Sequence, residues 1–199
     1  MNYSNQKKGT ILAITGTLLI TPDSLFIRLA NLESWNLIFY RGFIPFIVVF
    51  IGLLIIYKTK LINELINNGW HGFAYACVFT ITNIVFVISI ENTNVANTLI
   101  MIALAPMLSA IISLIFLKEN PDQKTWVAII ITTLSVIYIF YDALDAGDFL
   151  GNFLGLVCAT GLAVGAVIIR SAKKISLVPS AMLGKLMVAL IALFFANQL

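Results

Sequence analysis

An all-α, polytopic membrane protein is the fold class this sequence predicts, and three observations predict it. The first is composition. Of 199 residues, 60% are hydrophobic and only 11% are charged, with a mean hydropathy of +1.01; a soluble domain carries about 25% charged and roughly 45–50% apolar residues. Too little polar surface remains to coat a globule. The second is a recurring apolar unit of about 20 residues, the length that crosses a hydrocarbon core of about 30 Å. The third is the uneven placement of lysine and arginine in the connectors between those units.

Seven transmembrane helices are predicted, over residues 9–27, 35–57, 70–90, 95–117, 125–141, 149–169 and 177 to about 195. The first follows Lys7 and Lys8 and is read as a retained span. No small-x-small cleavage site closes it, and further spans follow. Trp35, Trp70 and Trp126 stand where the second, third and fifth begin, at the headgroup level that suits an amphipathic ring. The turn-forming connectors Asn67-Asn68-Gly69, Asn120-Pro121 and Asp145-Ala146-Gly147 bound the third, fourth and sixth. The sixth carries Gly151 with Gly155 and Gly161 with Gly165, pairs at a spacing of four that let helices approach closely. Such short connectors make successive spans antiparallel neighbours.

Basic residues set the direction. Lys7, Lys8, Lys58, Lys60, Lys118, Lys124, Arg170, Lys173 and Lys174 fall on one side; the alternate connectors hold Arg28 and otherwise the acids Glu33, Glu91, Asp142, Asp145 and Asp148. The N-terminus is therefore expected in the cytoplasm.

Several function classes are excluded. Cys77 and Cys158 lie inside apolar runs, and His71 is the single histidine, so a zinc site or a histidine-based dyad lacks ligands. Carboxylate pairs at glycosidase spacing and a phosphate-cradling glycine loop are missing. The net charge of +3 is spread over short loops without forming the stripe that nucleic acid requires. No enzyme activity, cofactor or nucleic-acid partner is expected; the expected partners are the lipid bilayer and a small molecule.

A repeat lies within the chain. GTILAITGTLLITPDSLFIR, residues 9–28, and GNFLGLVCATGLAVGAVIIR, residues 151–170, share Gly9/Gly151, Leu12/Leu154, Ile27/Ile169 and Arg28/Arg170. Each is followed by a span with a cation in its apolar body, Arg41 in the second and Lys185 in the seventh. An offset of five helices turns one copy over relative to the other, as in the inverted repeats of alternating-access proteins. By a rise of 1.5 Å per residue, Arg41 stands about 9 Å inside one boundary and Lys185 about 12 Å inside the other. Residues 9–141 form the first five-helix repeat and residues 149–199 the first two helices of a second. The expectation is that the second repeat continues beyond Leu199, with a homodimer of a short chain as the alternative.

The stretch from Glu91 to Phe140 resembles the EamA-type drug/metabolite transporters. The likeness rests on the small and polar residues Thr93 to Ala96, Pro106 followed by Ser109 and Ala110, Phe116 to Glu119 closing the fourth span, and Trp126. FYRGFIP, Phe39 to Pro45, resembles the arginine-bearing second helix of that family. A glycine common in the family's fifth span is missing from TTLSVIYIF. The resemblance implies ten helices in two inverted sets of five, cytoplasmic termini, and export or exchange of small metabolites across the inner (plasma) membrane. The alternative is a membrane scaffold or inactive fragment on the same fold.

The candidate substrate-binding residues are Arg41, Asp23, Asn83, Asn97 and Lys185. An arginine in the hydrocarbon costs a few kcal/mol and as a rule faces the bundle interior; its competing reading is a stem that snorkels to the headgroups. Asp23 follows Pro22 about 6 Å inside the same boundary, at a depth suited to pairing with Arg41; its competing reading is an interfacial acid beside a kink. Lys185 is the opposite-side counterpart of Arg41. Asn83 with Thr80 and Thr82, and Asn97 with Thr98, offer polar handles to a cavity or to interhelical hydrogen bonds.

Overall fold

The computed structural model describes residues 3–140, 149–172 and 175–196. Asp142, Asp145, Asp148, Lys173 and Lys174 lie outside the described residues, as do the side chains of Lys7, Lys8 and Arg28. The chain divides into two units, Met1–Leu32 and Glu33–Leu199. Six stretches among the described residues are long and apolar enough to cross a membrane: Gly9–Ile27, Ser34–Asn67, Gly69–Asn92, Val95–Phe116, Phe149–Ser171 and Val178–Phe195. The fifth predicted span is a helix of 18 residues, some of whose side chains near its end lie outside the described ones.

In the first unit the predicted span is two helices, α1 Tyr3–Ile20 and α2 Asp23–Ala30. Pro22 has no N–H to continue the ladder. The first helix ends with Thr21 giving both its N–H and its hydroxyl to the Thr17 carbonyl, at 3.1 and 2.9 Å. Asp23 then opens α2, where a carboxylate suits the positive end of the helix dipole. Asn31 closes α2 at φ 45°, a left-handed position that asparagine tolerates.

The second unit begins with α3 Ser34–Tyr57, a 3₁₀ turn at Lys58–Lys60, and α4 Leu61–Asn67. From sequence alone the stretch covered by the turn and α4 reads as a connector. It is helical because Leu61 and Leu65 seat on a cluster formed by Leu53, Tyr57 and Met182. Next come α5 Gly69–Asn92, α6 Val95–Ala103 and α7 Ala105–Phe116. The last two make up the fourth predicted span, interrupted at Leu104 because Pro106 cannot bond the Ile102 carbonyl; Leu104 N–H turns to the Met101 carbonyl at 3.1 Å instead.

The helix α8 Gln123–Phe140 starts on a side-chain cap. Asp122 Oδ1 accepts the Thr125 N–H at 2.9 Å and also the Thr125 hydroxyl. These bonds hold the Asp122 carboxyl below the ordinary carboxylate range. A folded value that is depressed means the cap's contribution is complete above the unfolded carboxylate value near about 3.9 and is lost as pH falls through the lower folded value. Asp122→Asn keeps a capping oxygen without the charge. Thermal unfolding across a pH series should lose this acid-side component in that variant, while the melting temperature near neutrality stays close to that of the parent.

The remaining helices, α9 Phe149–Ser171 and α10 Val178–Phe195, are the packing centre of this unit. Along α9 lie α5, α6 and α7, and α10 packs on α3 and α5. At one end of α9 a buried polar seam ties three helices. The Ser89 hydroxyl pairs with Thr98 at 2.8 Å and donates to the Gly151 carbonyl at 2.7 Å, and Thr93 reaches Asn152 at 3.2 Å. At the other end Arg170 Nε meets Glu119 Oε2 at 2.5 Å. These two sets of contacts run α9 parallel to α6 and α7. Large side chains left outside, such as Ile55, Phe116 and Phe194 at 72%, 76% and 84% exposed, suit hydrocarbon and not water.

Candidate substrate site on the central helix

The platform is one face of α5. Phe79, Asn83 and Phe86 follow at steps of four and three residues, which aligns them along one side of a helix. From α10, Lys185 Nζ donates to Asn83 Oδ1 at 2.6 Å and lies 5.3 Å from the centroid of the Phe79 ring. From α3, the Arg41 guanidinium carbon lies 5.7 Å from the centroid of the Phe86 ring. Both distances are within the range over which a ring quadrupole attracts a cation. The Asn83 amide is itself anchored, because its Nδ2 donates to the Phe79 carbonyl at 2.7 Å.

Magnitudes favour these positions. A charge at mid-span costs about 2.5–3.5 kcal/mol on the insertion scale. A cation over a ring returns about 0.5–2 kcal/mol, and a hydrogen bond to a charged group about 1.5–3 kcal/mol. For Lys185 the two returns together offset the cost. Both cations are half-buried, and Arg41 lies against α5.

Along α5, Phe86 stands six residues before Asn92, about 9 Å from that end of the helix, and Phe79 ten residues after Gly69, about 15 Å from the other.

Glycines beside the two cations explain why the helices come this close. A Cβ on Gly42 would sit 2.7 Å from the Ala189 nitrogen and 2.9 Å from the Lys185 carbonyl oxygen. One on Gly184 would sit 2.8 Å from Phe79 Cδ1 and 3.1 Å from the Ala76 carbonyl oxygen. Backbone therefore meets backbone at α3–α10, and α10 presses on α5. The Thr80 hydroxyl spans that second crossing, 2.7 Å from the Ala76 carbonyl and 3.1 Å from that of Gly184. Farther down, Asn68 Nδ2 reaches Ser180 Oγ at 2.9 Å and the Ser176 carbonyl at 3.0 Å.

A cleft of about 190 Å³ opens between α5 and α9, lined by Tyr75, Phe79, Thr82 and Asn83 opposite Gly161 and Gly165. At about 30 Å³ per water it is the size of roughly six waters. Asn83 thus faces the cleft and also accepts from Lys185.

Of the five residues singled out from the sequence, the structure brings Arg41, Asn83 and Lys185 to one face of α5. Asn97 belongs to the polar seam, buried and donating through Nδ2 to Thr93 Oγ1 at 3.1 Å. Asp23 is half-buried in the first unit, and its pairing with Arg41 stays a sequence expectation. Glu119, which beside Lys118 reads as a solvated boundary charge, bonds to Arg170; with side chains 31% and 62% exposed, the pair contributes under about 1 kcal/mol.

Sequence reasoning missed Phe79, Phe86, Gly42 and Gly184. The signal for the glycines was present: Gly42 and Gly184 are 142 residues apart, the period of Gly9 and Gly151. The two rings lay in an apolar run that reads equally well as lipid contact.

The family model described as the EamA-like transporter family matches residues 7–141, the stretch read as the first five spans. Comparison with curated proteins and with solved structures found no match.

Proposed function

The chain belongs to the EamA-like transporter family, and we propose on that premise that it is a secondary-active carrier exporting or exchanging small metabolites across the inner membrane. In this reading residues 9–141 are one five-helix repeat and residues 149–199 open its inverted partner. Access alternates as the two rock about a site at mid-depth. The observation that carries the reading is the meeting of Lys185 and Arg41, from α10 and α3, on the Phe79–Asn83–Phe86 face of α5. In the proposed repeat the two cations come from opposite halves, so relative motion of the halves would move one against the other. Charged groups retained at such depth mark pathways.

The test is metabolite profiling of cells that express the protein, with Arg41→Gln and Lys185→Gln as comparisons. Expression of the parent should shift the external level of at least one small metabolite several-fold over non-expressing cells, and both variants, present in the membrane at equal amount, should abolish that shift. A shift of equal size in parent and variants would remove the site from the mechanism.

A further inference from the structure

We infer that the cleft between α5 and α9 takes an uncharged molecule built on a single aromatic ring, seated between the Tyr75–Phe79 ring pair and the glycines of α9, with a small polar substituent at Asn83. The inference rests on the carrier reading above and names its cargo class.

Charge is the first ground. Among the described residues no acid, lysine, arginine or histidine lines this cleft. Lys185 reaches the Asn83 side-chain oxygen from α10 and is not part of the lining. An ion that entered would lose its hydration with no opposite charge in the walls to offset the loss. A neutral molecule avoids that cost.

Shape is the second. Tyr75 and Phe79 are one turn apart, and their rings stack at 5.7 Å between centroids and 26° between planes, which gives α5 a flat aromatic wall. Opposite, Gly161 and Gly165 are also one turn apart and leave two places on the α9 side without side chains. The slot is unequal along its length. A Cβ on Gly161 would collide with the Thr82 hydroxyl, whereas one on Gly165 would stand 3.6 Å from Tyr75 Cε2, an ordinary contact. The cleft is therefore pinched at Thr82 and wider beside Tyr75. A flat ring fits such a slot, and its contact with other rings adds to what burial alone supplies.

Size and polarity are the third. An apolar cavity of about 150 Å³ is enough for benzene, so the cleft of about 190 Å³ holds one ring with a small substituent. Thr82 already gives its hydroxyl proton to the Val78 carbonyl. Asn83 uses one N–H on the Phe79 carbonyl and one lone pair on Lys185. An amide has two of each, which leaves one donor and one acceptor for a hydroxyl on the ring.

Isothermal titration calorimetry of the purified protein in detergent tests this, with the heat of protein-free micelles subtracted and phenol, cyclohexanol, benzoate and octanol as probes. A phenolic hydroxyl titrates at about 10, so phenol is neutral near pH 7. It should give a saturable one-site heat and bind at least about threefold more tightly than cyclohexanol, which has its size but no π face. Benzoate should bind at least about tenfold more weakly than phenol, because its charge has no partner in the walls. Gly165→Val should abolish the phenol heat, since its Cβ is accommodated and its methyl groups enter the slot. Three results in the parent each overturn the inference without relying on any variant: no saturable phenol heat, equal affinity for cyclohexanol or benzoate, or a tighter octanol complex, which would make the cleft an acyl-chain site. Phenol binding that survives in a folded Gly165→Val places the ring elsewhere and overturns it too. No flux is measured: absence of phenol binding alongside a metabolite shift that depends on Arg41 and Lys185 leaves the carrier reading standing, whereas phenol binding without any metabolite shift counts against that reading alone.

Discussion

Gly42→Val is expected to destabilise the second unit by about 3 kcal/mol or more, at the upper end of what overpacking a well-filled contact costs. The reason is the identity of the atoms in the way. A Cβ there meets the Ala189 nitrogen and the Lys185 carbonyl oxygen at 2.7 and 2.9 Å, and backbone in a helix cannot rotate aside as a side chain can. The crossing must open, and α10 must slide off α3. Gly52 supplies the control. It lies in the same α3, and a Cβ at that position meets nothing within 4 Å. Valine has the better helix propensity of the two, so Gly52→Val should leave the melting temperature unchanged or slightly raised. Thermal unfolding in detergent, with the folded fraction read by size-exclusion chromatography, decides between them. Equal behaviour of the two variants would show that the α3–α10 crossing does not determine the stability of this unit.

The contrast between these two glycines also bears on what was legible in the sequence. Composition and the length of the apolar runs were sufficient for the helices, because crossing a bilayer imposes one spacing on every segment. The breaks at Pro22, between α1 and α2, and at Pro106, between α6 and α7, follow from a missing N–H, but Pro45 leaves α3 unbroken, so proline alone does not tell which span is interrupted. The helix α4 could not be read in advance, because its formation depends on Leu61 and Leu65 meeting Met182, more than a hundred residues away. Gly42 and Gly52 look alike in the sequence for the same reason: only the partner helix distinguishes them.

The candidate site was legible through its charges and illegible through its platform. A cation in an apolar run stands out by its cost, so Arg41 and Lys185 were found. Phe79 and Phe86 do not stand out, since an aromatic ring facing lipid and one beneath a guanidinium are written with the same letter. Asn97 was chosen on the same grounds as Asn83, yet it binds within the seam to Thr93; a polar residue between helices reads identically whether it faces a cavity or a neighbour.

Asn83→Leu, nearly isosteric with the parent, is expected to cost about 1.5–3 kcal/mol, the range for a hydrogen bond to a charged group. The loss falls on the ammonium: Lys185 stays over the Phe79 ring but loses the amide oxygen at 2.6 Å. Lys185→Met alone should cost less, about 1 kcal/mol, because it deprives a neutral acceptor of its donor and replaces the stem with one of similar shape. Combining the two should restore most of the stability, since apolar groups then face each other and no charge is desolvated. The cycle is read by thermal unfolding of the four proteins, and losses that simply add would mean the bond contributes nothing to the fold. Restored stability then separates two roles that single variants confound. A double variant that melts with the parent and still shifts the metabolite profile would make the ammonium a structural peg. One that melts with the parent and carries nothing would show that the Lys185–Asn83 pair is retained for transport and not for the fold.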